Sequence, residues 1–133
     1  MIPHDDVNSR YAQVPGDFPR PDVASAIAGS QPKLALVRYE GKFYRPGGTP
    51  PERFERWDAC EDLARQLVTK CRESKMGKRA HMSEVEILEQ YLRRLLKTGW
   101  GSDNEMKWVI RRTAELLEWP LPEAATTQSA SDG

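Results

Sequence analysis

Little in this sequence serves catalysis or metal binding. Two histidines and two cysteines are spread through 133 residues. His4 lies in a loose N-terminal stretch and His81 just before a helix start. No pair of these residues has the CxxC or HExxH spacing that lets side chains converge on one ion. The stretch PGGTPPE, from Pro46 to Glu52, has two glycines but not the lysine of a phosphate loop, and its prolines lack N–H groups that an anion would want. We therefore expect no catalytic residues, no cofactor and no metal, and a protein that is not an enzyme.

Long apolar runs are missing too. No stretch approaches the roughly 20 apolar residues of a membrane span, and MIPHDDVNSR has no basic segment leading into an apolar one, as a secretory signal would. A cytoplasmic protein with no membrane partner is expected. Net charge is absent as well: 20 basic residues balance 20 acidic ones, so any nucleic-acid binding must be local. Hydrophobic content of 38% and a mean hydropathy of −0.71 are low for a chain folded throughout, which points to unstructured ends. Cys60 and Cys71 fall in one predicted helix, about 16 Å apart along its axis, too far for a disulfide. They read as buried, reduced thiols.

What is present sorts by its punctuation. Residues 1–31 hold Pro3, Pro15, Pro19 and Pro21 with few apolar anchors. They read as mostly irregular or disordered, apart from a possible short helix in DVASAIAG capped by Asp22 and ended by Gly29. KLALVRYEGKFYRP then reads as a β-hairpin turning at Glu40-Gly41, with Gly41 at positive φ. In a two-residue loop, Val37, Tyr39 and Tyr44 share one face, the better core candidate. Leu36, Arg38, Phe43 and Arg45 share the other.

Three helices follow, each opened by an S/T-x-x-E capping box: Thr49–Glu52, Ser83–Glu86 and Ser102–Glu105. Gly77 and Gly99 sit where helix ends favour a left-handed residue, and Pro120 stops the last helix. The first helix aligns Trp57, Cys60, Ala64, Leu67, Val68 and Cys71. The second aligns Val85, Leu88, Tyr91, Leu92, Leu95 and Leu96, and the third Met106, Val109, Ile110, Thr113, Leu116 and Leu117. The fold expected is α+β: an N-terminal hairpin on a three-helix layer, one domain over 32–120, with a disordered tail from Leu121 to Gly133.

Two surfaces are candidates for function. On the third helix Trp108, Arg112 and Trp119 fall nearly opposite the core stripe. Either the hairpin or N-terminal segment covers the tryptophans, or the three residues bind a protein partner, for which Trp and Arg are frequent anchors. The second candidate is the basic run Lys70, Arg72, Lys75, Lys78 and Arg79, joined by Arg93, Arg94 and Lys97, which could neutralise phosphates or simply complement a helix C-terminus. The turn in LKTGWGSDNEMKWVIRRTAELLEWP suggests a DNA-reading helix-turn-helix, but Asp103, Asn104 and Glu105 would bring carboxylates toward phosphate. A protein-interaction or adaptor module is the primary expectation, and a nucleic-acid-associated regulator the alternative.

GGTPPERFERWDACEDLA and TGWGSDNEMKWVIRRTAELLEWP together resemble small proteins of proteobacteria of the Burkholderia and Bordetella type, of unassigned function. The resemblance covers roughly residues 32–120. It implies a bacterial cytoplasmic protein and transfers no site residues.

Overall fold

All three capping boxes form. Thr49 Oγ1 meets Glu52 Oε1 at 2.7 Å, and the Glu52 N–H donates to Thr49 Oγ1 at 3.4 Å. Ser83 and Ser102 each accept from the backbone N–H three residues on, while Glu86 and Glu105 reach back to the cap N–H. These reciprocal bonds satisfy donors that a helix start otherwise leaves orphaned. The computed structural model describes residues 10–20 and 36–126. Its order is β1 (Val37–Tyr39), β2 (Lys42–Tyr44), α1 (Pro50–Met76), α2 (Glu84–Thr98), α3 (Asp103–Leu117) and a 3₁₀ turn at Glu123–Ala125. This is the expected α+β class, a hairpin followed by a helical layer. The short helix read in DVASAIAG lies outside the described residues. The chain divides into two compact units at Asp58 and Ala59, inside α1.

In the first unit, β1 and β2 pair antiparallel with Val37 opposite Tyr44 and Tyr39 opposite Lys42. Glu40 and Gly41 both take positive φ, 49° and 82°. Two left-handed residues in a two-residue loop match the right-handed twist of the strands. The two faces are those expected, but neither is deeply buried: Tyr39 and Tyr44 are half-buried while Val37 is 37% and Phe43 63% exposed. The N-terminal segment carries a better anchor than its composition suggests. Phe18 is 2% exposed, and Arg53 donates to the Phe18 and Pro15 carbonyls at 2.7 and 3.3 Å. The Arg53 guanidinium also lies over the Phe18 ring, 5.7 Å from its centroid. One arginine of α1 thus holds this segment through two of its carbonyls and one of its rings.

The second unit is helical. Cys60, Ala64, Leu67 and Cys71 of α1, Ile87, Leu88, Leu92 and Leu95 of α2, and Met106, Val109, Ile110 and Ala114 of α3 are buried. Thr113 is fully buried among them, because its hydroxyl bonds the Val109 carbonyl at 2.7 Å and the Ala64 carbonyl at 3.4 Å. In α2 two positions depart from the expected stripe: Ile87 is fully buried, and Leu96 is 37% exposed.

Helix ends differ from one another. Gly99 is left-handed at φ 74°, as its position suggests. Gly77 is not among the positive-φ glycines. Instead the Gly77 and Arg79 N–H groups bond back to the Ser74 carbonyl, closing α1 without a left-handed residue. At the end of α3 it is Glu118 that turns left-handed, at φ 60°, and the Trp119 N–H reaches the Ala114 carbonyl.

The expected tail is corrected over residues 121–126. Pro122 and Ala125 are fully buried, and Arg111 donates to the Ala125 carbonyl at 2.8 Å. Two small side chains and one charge-assisted hydrogen bond seat a segment that hydrophobic content alone assigns to disorder.

Candidate functional site

The paired-tryptophan surface does not form as an exposed patch. Trp108 is 3% exposed and belongs to the core. Trp119 is half-buried. Arg112, between them, is committed to neighbouring carboxylates: Nε and Nη2 reach Glu61 at 2.9 and 3.1 Å, and Nη1 reaches Glu115 at 3.0 Å. The correction has a plain cause. α3 is buried on more than one side, so the stripe through Val109 and Thr113 and the opposed Trp108 are both covered. Only Asp103 and Glu115 of α3 are exposed, and both are acidic.

Glu61 is the centre of that commitment. Its residue is 9% exposed, and Arg65 Nη2 joins Arg112 on Oε2 at 2.9 Å. Burial pushes the Glu61 carboxyl up, but the hydrogen bonds and charges of Arg112 and Arg65 outweigh burial and hold it below the usual range. Arg112 is raised in turn, chiefly by its hydrogen bonds to Glu61. This is a structural clamp between α1 and α3.

The basic run divides into two sets. Lys70, Arg72 and Lys78 are exposed, whereas Lys75 and Arg79 are half-buried and occupied. Lys75 Nζ donates to the Met82 carbonyl at 2.7 Å. Arg79 donates to Gln90 Oε1 at 2.8 Å and Ser74 Oγ at 3.1 Å, beneath which Ser74 and Tyr91 share a 3.0 Å hydrogen bond. These two cations fasten the α1–α2 turn. Arg93, Arg94 and Lys97 of α2 are exposed, with Arg94 also 5.6 Å from the Tyr91 ring centroid.

At the α2–α3 turn, weighed from the sequence only as a helix-turn-helix, the exposed large apolar side chains are Trp100 and Leu96. Trp100 is 61% exposed and Leu96, one turn before it, is 37% exposed. Arg93 lies one turn ahead of Leu96 and Lys97, so the end of α2 joins apolar surface to positive charge. Trp100 stands between Gly99 and Gly101, outside any helical stripe, and the non-periodic placement of an aromatic was the signal available.

Among the described residues no cluster of His, Cys, Asp or Glu could hold a metal ion, and no helix is long and apolar enough to cross a membrane. No family model matches the chain, and no curated protein or solved structure matches it either.

Proposed function

We propose that the chain is a non-enzymatic protein-interaction module of the cytoplasm, and that it engages its partner through Leu96 and Trp100 at the end of α2. The observation that supports this reading is the 61% exposure of Trp100 beside an exposed Leu96. A largely exposed indole has a large area to bury, and Trp is among the residue types most enriched in binding hot spots. The exposed Arg93, Arg94 and Lys97 give the partner its chemistry. It carries a bulky apolar anchor flanked by Asp or Glu, so that charge steers the encounter and the apolar contact holds it.

Selection of a displayed random-peptide library on the full chain tests this. Acidic peptides with one large apolar residue are expected, and their binding is expected to perturb the amide signals of residues 96–101. Recovery of no consensus, or of peptides that bind equally well to Trp100→Ala, overturns the proposal.

Binding to nucleic acid is the second reading, favoured by the exposed Lys70, Arg72 and Lys78 together with the α2 cations. It would proceed through phosphate contacts and not through α3, whose exposed positions are acidic. Affinity for generic DNA that falls steeply with salt would support it, since each neutralised phosphate releases counterions.

A further inference from the structure

An open cavity of about 370 Å³ in the first unit is lined by Tyr11, Tyr39 and Tyr44, with Glu40 and Lys42 from the hairpin turn. That volume falls in the range of small-ligand sites. The hairpin register explains how two of the rings meet: with Val37 opposite Tyr44 and Tyr39 opposite Lys42, both tyrosines share one face as diagonal neighbours. Their centroids are 6.3 Å apart and the planes are inclined at 66°. They therefore make a corner, not a stacked slab. Tyr11 brings a third ring from the N-terminal segment, seated by its contact with Phe54 at 6.0 Å between centroids.

Aromatic faces carry the negative part of the ring quadrupole, and several rings beside a carboxylate attract a cation. The attraction is most useful for a cation that sheds its water easily, which an alkylated ammonium does and a bare ammonium does not. Glu40 supplies the carboxylate. Lys42 supplies an opposing charge, but it is exposed on a long flexible stem at the strand start. The Tyr39 phenol is held above its ordinary range by lost hydration first, then by the Glu40 charge and by hydrogen bonding to Glu40 and Tyr11. Its hydroxyl is thus engaged with a carboxylate, an unfavourable setting for an anionic ligand.

We propose that Tyr11, Tyr39 and Tyr44, with Glu40, form a binding site for an alkylated ammonium group, carried either by a small organic cation or by a methylated lysine side chain. This site is separate from the α2–α3 turn and does not depend on the interaction proposed there.

The full chain is titrated with tetramethylammonium, with a short peptide containing trimethyl-lysine, with the same peptide unmodified, and with inorganic phosphate. Binding is read from the amide signals of residues 39–44 and from the tyrosine ring signals. Both alkylated cations are expected to shift these signals, with the unmodified peptide about tenfold weaker. A trimethyl-lysine peptide much tighter than tetramethylammonium assigns the site to methylated protein; equal affinities assign it to a free organic cation. Tyr39→Leu is expected to weaken binding about tenfold, with Tyr39→Phe keeping it. Because the leucine variant could loosen the hairpin, charge variants provide an independent reading: Glu40→Gln is expected to weaken the cation and Lys42→Ala to tighten it. Shifts caused by phosphate and not by the cations, tighter cation binding in Glu40→Gln, or no shift with either cation overturns the proposal.

Discussion

Substituting Arg112 by Ala removes the bidentate partner of Glu61 and leaves that carboxylate, 11% exposed in its side chain, with Arg65 alone. Removing one partner of a fully buried pair costs about 3–5 kcal/mol, and a single hydrogen bond to a charged group about 1.5–3. Arg112 is itself 27% exposed and Arg65 stays behind, so the loss expected here is about 2 kcal/mol, below the fully buried limit. Urea denaturation should show it as a lower midpoint with an unchanged slope. The pairwise part follows from a cycle with Glu61→Gln, in which the two single losses should exceed the double by at least about 1 kcal/mol. The pH dependence has a definite sign. Glu61 is depressed in the folded state, so its contribution is complete above the ordinary glutamate value of 4.5 and is lost as pH falls through the lower folded value. The stability gap between wild type and Glu61→Gln should therefore hold at neutral pH and close in acid. Additive single losses, or a gap that widens in acid, would refute a clamp between α1 and α3.

Trp108→Ala should cost about 3–5 kcal/mol, the range for truncating a buried aromatic; a nearly unchanged denaturation midpoint would return Trp108 to the surface. Ala125→Asp places a carboxylate where there is no exposed surface, and should cost about 3 kcal/mol or more. The same change in a mobile tail would cost nothing measurable. Burial pushes the Cys71 thiol up to about 12, so it should resist iodoacetamide in the native chain at pH 8 and react on unfolding, with mass spectrometry as the readout. Rapid native labelling of Cys71 would mean that α1 is turned the other way.

Local signals were legible and tertiary ones were not. A Ser-x-x-Glu box is a bargain among four consecutive residues, so Thr49, Ser83 and Ser102 could be assigned as caps without knowing anything else in the chain. The Glu40-Gly41 turn is local in the same sense. Periodicity then named most of one buried face per helix, leaving out Ile87 and including the exposed Leu96 on α2, but it cannot say how many faces are covered. Trp108 lies opposite Val109 and Thr113 on α3, and only the rest of the fold decides that both sides are buried. Pro122 and Ala125 were missed for a related reason: small side chains carry almost no hydropathy signal, and their burial rests on α3 and the Arg111 hydrogen bond. Gly77 shows the opposite failure, a residue capable of left-handed φ at a helix end that closes on the Ser74 carbonyl without using it. As for the candidate site, the basic residues were visible as a run, but which were exposed and which fastened the turn depended on Ser74, Gln90 and Met82. Trp100 was visible as a letter and not as a surface, because no stripe passes through a turn.

The most direct test of the interaction-module account is the affinity of one selected acidic peptide for wild type, Trp100→Ala and Leu96→Ser, measured calorimetrically beside thermal denaturation of each protein. The account predicts a loss of about 2 kcal/mol or more in binding for Trp100→Ala, a smaller loss for Leu96→Ser, and little change in the Trp100→Ala midpoint, because Trp100 is 61% exposed. Undiminished binding in Trp100→Ala, with the fold intact, would contradict it.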